Sequence, residues 1–564
     1  MQIAQYLASC EAQYNPAERM LRQAFKGPGY HTAVPDGTLV HATRESLHYA
    51  LALLASPEVT HQQRAAQVIM RVVALQDTDP ASATYGIWSW LLEEPLAQMQ
   101  PPDWNWADFL GATLATILID HADKLPAHVC DAIRASLRHA AASIVRRNVE
   151  VSYTNIAIMG AGVTLATGEL LADAEYVAYG RDRLRRVREH TAVHGDFNEY
   201  NSPTYTAVAL EELERILHLV RDAEAREHAE VLRYHAWRVI AEHYHPATGQ
   251  WAGPMSRAYA DVLLETVAAK LARLAGATAT VQTEHGVRSA AQLLAEAPPP
   301  LFAELPCPDE LRPRFLALPS APCQIRRQFI QGDDDIAATS GTTWFTTQAC
   351  LGSANRAVSW TQRRPLLAYW TLGDGLTAVL RLRVLRDGQD FASAELRTAQ
   401  EGPRALTDVQ FVTGGGISHP FFGRPEDGRY PCADLRVRYE LTGRGAQAEQ
   451  QDDGSVVLQA GAWRAIIYPL PACFGAQQLA WTVGREDDRV YLDAVCYAGP
   501  TQAFDFSALA PVRLAAGVEL LPVSAAPLGI FPQGHDTAAQ WTLGWAAAGA
   551  LSVTVPLRGD TFHF

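Results

Sequence analysis

EAPPPLFAELPCPDELRPRF, residues 296–315, is where the chain changes character. Three consecutive prolines, Pro298 to Pro300, remove three backbone donors and fix three φ angles, so no helix runs through them. The segment reads as a linker. The two sides of it obey different periods. Upstream, to about Ala297, stretches such as ESLHYALALLA, HQQRAAQVIMRVVALQ, WADFLGATLATILIDHA and AVALEELERILHLVRDA place apolar residues at three- and four-residue steps. They are rich in Ala and Leu and poor in Gly and Pro, as helices are. Downstream, from about Gln324, TTWFTTQACLG, LLAYWTL, LTAVLRLRVLRD, LRVRYELTG, AWRAIIYPL and RVYLDAVCYAG alternate or run apolar over short lengths between Gly, Asp and Pro. That is the pattern of antiparallel strands. A helical half followed by a strand half implies segregated domains rather than βαβ units. The expected organisation is an α/α toroid over residues 1–297, a linker over 298–323, and a large antiparallel β-sandwich over 324–564.

The helical half has a rhythm. Helix starts fall near His41, Trp104, Asn155, Tyr205 and Arg257, and the last three intervals are close to 50 residues. That length holds an outgoing helix of ~17 residues, spanning about 25 Å, a return helix and two loops. Stacked antiparallel pairs bring every second start to one end, so the pattern predicts an incomplete toroid of five or six hairpins. The loops at those starts are PDGTLVHATRES, PPDWNWAD, VSYTN, GDFNEYNSPTY and GQWAGPMSRAY. Each is rich in Trp, Tyr, His, Asn, Asp or Arg, and together they are expected to form one rim.

The chain has 564 residues, 48% hydrophobic and 19% charged, with a formal net charge of -14. A general nucleic-acid binder needs a basic footprint, which this balance does not supply. None of the eight cysteines forms a CxxC pair, so zinc ribbons and thioredoxin-like motifs are excluded and the thiols read as core residues. The opening residues MQIAQYLASCEAQYNPAERM lack a basic segment followed by an apolar run, and no apolar run approaches the ~20 residues of a membrane helix. The expected location is the cytoplasm, or the periplasm or exterior if an export signal is missing from this sequence, with no membrane partner; the oligomeric state is left open.

Within the rim, Ser202 is placed as an N-cap and Pro203 as a first helical residue, which puts Tyr205 in the first turn. The helix dipole there favours a phenolate modestly, help that a tyrosine base with a free pKa of about 10 requires. Tyr205 packing its own helix start is the plain alternative. Asn155 stands at the preceding start, where its amide can donate to a carboxylate or cap the helix. Arg257 can grip a carboxylate through two parallel bonds or lie free on the surface. Asp196 with Glu199, and Asp103 with Asp108, are carboxylate pairs of the kind glycoside hydrolysis uses. Trp88, Trp90, Trp104, Trp106 and Trp251 offer flat faces for sugars or packing for a core. Tyr200, Asn201, Glu199 and Tyr259 complete the rim's binding candidates, with Arg364 reaching in from the strand half beside Trp360, Gln362 and Arg363. His243 and His245 read as residues at a helix C-terminus. His419, in GGGISHPFFG, is the notable histidine of the strand half. An acidic turn at Asp333 to Asp335 has the residue type of a calcium site and nothing further; no metal ligand set is assigned.

The order of α/α domain, linker and β-sandwich resembles heparinase II/III-like and alginate-lyase-like polysaccharide lyases. The resemblance is sharpest at GDFNEYNSPTYTAVALEEL, where a Gly and an acidic residue precede Ser-Pro-x-Tyr at a helix start. It implies that Tyr205 is base and acid and that Asn155, in SYTNIAIMG, neutralises a substrate carboxylate. The chain departs from the pattern in two places. Asn155 is followed by Ile156 rather than histidine, and Met255 and Arg257 stand where a histidine is expected by role. His419, His243 and Arg257 are the candidates for that role. The reaction implied is β-elimination from a uronate in an acidic oligosaccharide or polysaccharide. Asn155 and Arg257 would stabilise the aci-carboxylate while Tyr205 removes the C5 proton, and no cofactor is required. A glycoside hydrolase using Asp196, Glu199 or Asp103, and a non-catalytic carbohydrate-binding protein with a Trp-rich rim, are the alternatives.

Overall fold

The structure, a computed structural model, describes residues 2–27, 31–302, 304–333, 337–411, 429–537, 540–546 and 549–557. The chain divides into two compact units. The first comprises Met1–Ala192, Tyr205–Trp237 and Leu294–Pro306, and the second Val193–Thr204, Arg238–Leu293 and Cys307–Phe564. The fold class is the expected one, helices first and antiparallel sheet after.

After α1 (Ile3–Glu11), the first unit is built from α2 (Thr43–Ala55), α3 (Val59–Val73), α4 (Trp106–His121), α5 (Ala127–Arg147), α6 (Thr154–Leu171), α7 (Ala174–His194), α8 (Tyr205–Leu219) and α9 (Ala223–His243). Short loops fold them into four antiparallel pairs. The even members form an inner row, α2 on α4, α4 on α6 and α6 on α8. Their sequences explain why. α6 buries 14 of its 18 residues, and a helix apolar nearly all round belongs inside. α3 buries only Ala65, Val68, Ile69 and Val72, the i, i+3, i+4, i+7 stripe of an outer helix. Glycines set the inner spacing. A Cβ on Gly111 would lie 2.8 Å from Val163, and one on Gly162 would lie 2.9 Å from Ile216, so α4, α6 and α8 approach closely through these positions. α6 has the length and apolarity of a membrane span, contrary to the sequence expectation that no run comes near one, and is 78% buried as a core helix.

The fifth predicted helix start is different. Arg257 lies in a bend, and the next helix, α10 (Glu265–Leu274), begins eight residues later, followed by α11 (Ala290–Glu296). Four long pairs, not five or six, are present among the described residues. The segment around Arg257 is not helical because its backbone bonds elsewhere: Met255 and Arg364 exchange both backbone hydrogen bonds, at 3.0 and 2.9 Å, in an isolated bridge.

The second unit holds an antiparallel sheet running Trp481–Glu486, Arg489–Asp505, Arg429–Thr442, Leu376–Arg386, Leu366–Gly373, Ala349–Ala354, Thr339–Phe345 and Cys323–Ile330. It packs on a seven-stranded sheet that includes Ala394–Glu401, Arg404–Phe411, Ala515–Pro522 and Trp463–Pro469. Trp370, Leu380 and Val437 of one sheet meet Leu396, Val409, Ala465 and Val518 of the other in the sandwich core. A three-stranded sheet covers the far face of the smaller sheet through Leu406, Tyr468, Trp541 and Trp545.

Candidate functional site

The starts of α2, α4, α6 and α8 lie at one end of the first unit, because α3, α5 and α7 each return the chain. Side chains tie these starts together. Trp106, first residue of α4, donates its indole N–H to Thr43 Oγ1, first residue of α2, at 3.0 Å. Trp90 stacks on Trp106 with centroids 5.0 Å apart and donates to Asp103 Oδ2 at 3.1 Å. Asn105, just before α4, donates to Tyr153 Oη at 3.2 Å and accepts from Arg147 at 2.7 Å, joining the α4 and α6 starts. Asn155 is the second residue of α6 and is buried, its Oδ1 accepting the Ile156 N–H at 2.8 Å. Tyr205 opens α8 and is half-buried; the helix begins there, two residues beyond Pro203. α6 and α8 pack directly on each other, so both sequence candidates of this unit stand at the same end of neighbouring helices.

The carboxylates of this end are committed to structure. Asp103 accepts from Trp90 and, through Oδ1, from the Asn105 N–H at 3.0 Å. Asp108 is buried, and burial pushes its carboxyl up to about 8 against the attraction of Arg147 and Arg183. Trp88 is core and donates to Val72 O. Trp104 and Trp106 are half-buried, so each retains exposed area; Trp104 donates to Ala83 O at 3.1 Å.

The second unit gathers a different set. Arg257 donates to Gln362 Oε1 at 2.9 Å, lies over the Trp360 ring at 5.0 Å, and has Glu199 Oε1 at 3.9 Å. Burial and the Arg257 charge push Arg363 down to about 9, which leaves it charged at neutral pH. Ser202 donates to Arg257 O at 2.7 Å. Tyr259 is 49% exposed.

Four expected binding residues of this unit are instead parts of its framework. Asn201 is buried at φ 48°, its Nδ2 donates to Ala252 O and Pro254 O at 2.7 and 2.8 Å, and its Oδ1 accepts from Trp251 Nε1. Trp251 is 1% exposed and offers no face to a sugar. Arg364 is buried and ion-paired to Asp261, as is Arg381. Tyr200 is buried, stacks on Phe329 at 4.5 Å, and donates to His243 Nε2 at 2.9 Å. His243 Nδ1 donates to Val239 O at 2.8 Å, which fixes the tautomer; burial lowers its pKa and keeps it neutral. His243 therefore caps the end of α9 as expected, in its neutral form. His419 and Asp334 and Asp335 lie outside the described residues.

Sequence reasoning missed the Arg147–Asn105–Tyr153 chain, whose members are 48 residues apart at most in sequence and carry no motif. It also passed over Arg44 and His48 on α2. Their i, i+4 spacing on one helix face was the available signal.

Residues 19–292 match a family model described as a domain of unknown function, DUF8769. No curated protein matches the chain. Among solved structures it is similar to a heparinase III at 10% identity and a TM-score of 0.41, covering 94% of this chain and 85% of that one. It is also similar to a heparinase III with methylated lysines, at 10% identity and a TM-score of 0.35, covering 91% and 83%.

Proposed function

We propose that the protein is a lyase that cleaves a uronate-containing glycan by β-elimination at the helix-start end of the first unit. The observation that carries this reading is the placement of Asn155 and Tyr205 on the first turns of two helices that pack side by side. Asn155 is buried at the start of α6, and its side-chain amide is the group assigned to the substrate carboxylate. Hydrogen bonds to that carboxylate acidify the C5 proton, and they strengthen as negative charge moves onto it in the aci-carboxylate. Tyr205 takes the proton at Oη and returns one to the departing C4 oxygen. Trp104 and Trp106, with exposed area beside these starts, supply stacking faces for neighbouring sugars. Arg257 is a proposal of its own. Its guanidinium is held by Gln362, Trp360 and Glu199, and it is tested separately by Arg257→Ala.

The hydrolase alternative loses support at Asp103 and Asp108. Both Asp103 oxygens accept structural hydrogen bonds, and Asp108 is enclosed by Gly160 and Ile144 of neighbouring helices. Acidic glycans incubated with the protein should yield the ultraviolet-absorbing unsaturated uronate. Tyr205→Phe should cut kcat by roughly 100-fold or more. Full activity in that variant, or a saturated reducing end as the sole product, overturns the assignment.

A further inference from the structure

Arg44 and His48 stand one turn apart on α2, both half-buried, near the end where α2 meets α4. The Arg44 guanidinium lies over the Phe109 ring at 4.1 Å. Among the described residues, neither side chain has a hydrogen bond or an ion pair. A guanidinium carries five donors and is rarely left half-buried without an acceptor. The helix gives no reason for it, because a cation in the first turn opposes the dipole. Nor do the nearby acids serve Arg44. Glu212 is engaged by Arg215 Nε at 3.3 and 3.2 Å, Glu211, whose charge is felt at His48, is paired with Arg215 Nη2 at 3.5 Å, and Arg215 also donates to Thr116 at 2.8 Å. Burial and the charges of Arg44 and Arg215 push His48 down to about 3, so at neutral pH it offers one N–H donor and one acceptor.

We propose that Arg44 and His48 form a binding position for an oxyanion, the carboxylate or sulfate group of an acidic sugar residue. The inference rests on the acidic-glycan reading for its ligand and on this side-chain pair for its location. Arg44 supplies two parallel N–H bonds to the anion and the neutral imidazole supplies a third, while Phe109 holds the guanidinium plane in place. The pair lies on α2, between Phe109 of α4 and the Glu211 to Arg215 turn of α8, and the role proposed for it is binding rather than chemistry at the reacting atoms.

The probes are sodium glucuronate and sodium sulfate, titrated into the intact protein with the His48 ring signals followed by NMR. Binding should shift those signals and raise the His48 pKa, and preference between the two probes identifies carboxylate or sulfate. Arg44→Gln should weaken binding by about tenfold or more, the usual loss for a charged hydrogen-bonding group. With a cleaved glycan, the same variant should raise KM and leave kcat nearly unchanged. If Arg44→Gln does not fold, Arg44→Lys keeps the charge without the paired geometry and should bind severalfold more weakly. Unmoved His48 signals with either probe, or Arg44 variants that bind like the parent, overturn the proposal. If glycans are cleaved and KM is unchanged in Arg44→Gln, this inference falls and the lyase reading stands. If the probes bind through Arg44 and no acidic glycan is cleaved, the reverse holds.

Discussion

Asp108 shows how a residue's surroundings decide its chemistry. In sequence it is one of two carboxylates on a rim loop. In the structure it is enclosed, and burial holds its pKa near 8. The folded chain therefore keeps a proton on Asp108 that the unfolded chain releases near pH 4. Between these values the folded state binds more protons, so this group makes stability fall as pH rises; above about 8 its cost is constant. Asp108→Asn removes the effect while keeping the shape. The variant should gain stability relative to the parent from pH 5 to pH 8, by at most about 1.4 kcal/mol per pH unit, in denaturant titrations. A gap that does not widen with pH would mean that the carboxyl is not held neutral. The same contrast explains what was legible at this scale. Tyr205 and Asn155 drew attention in the sequence because a short motif surrounds them, and the structure sets them on the first turns of neighbouring helices. Asn201, Trp251 and Arg364 were misread because their partners, Ala252 and Pro254 for Asn201 and Asp261 for Arg364, are distant in sequence and leave no local mark.

At the scale of elements, helices α2, α4, α6 and α8 begin within two residues of the predicted starts, since amphipathic and all-apolar helices both announce themselves by period. The fifth start failed because the segment around Arg257 takes its backbone hydrogen bonds from Gln362 and Arg364, in the connection before strand Leu366–Gly373, which residue spacing cannot reveal. Strands Ala349–Ala354 and Leu366–Gly373 read as apolar runs rather than alternations for a related reason: both faces are covered. One face carries Trp370 and Leu351 into the sandwich core. The other carries Gly352, Leu367 and Tyr369 against the segment containing Gly253 and Asp261, both within the second unit. Gly352 makes that second contact possible. A Cβ there would lie 1.8 Å from Gly253 O, a backbone atom with no rotamer to yield. Gly352→Ala should destabilise the unit by several kcal/mol, through the overpacking and strain that a well-packed site cannot absorb. A melting temperature within about 1 °C of the parent, roughly what half a kcal/mol produces in a unit of this size, would mean that the segment shifts at little cost.

At the scale of the whole chain, the proline run marked the change of period but says nothing about which earlier residues complete the strand region. Val193–Thr204 and Arg238–Leu293 precede the prolines and belong to the second unit. They are part of its interior. Tyr200 stacks on Phe329, His245 on Phe345, Thr343 donates to Gly253 O at 2.6 Å, and Asp261 pairs Arg364 and Arg381. Remove them and one face of the large sheet exposes Phe345, Leu367 and Tyr369 together, with Arg364 and Arg381 stripped of their acid. Exposed apolar area of that extent beside buried, unpaired cations favours aggregation and unfolding. A chain beginning at Cys307, the natural cut if each half folded alone, should accordingly be insoluble or bind a hydrophobic dye strongly. Adding residues 238–293 as a separately expressed segment should recover part of the soluble fraction. Monodisperse, cooperatively unfolding 307–564 protein, measured by gel filtration and thermal melting, would show that the sandwich core suffices and that the earlier segments are only draped on it. The lyase reading inherits a consequence. Arg257 and Glu199 sit on these inserted segments, so their geometry depends on a fold completed after synthesis passes residue 307, and truncations meant to isolate a catalytic half will disturb it.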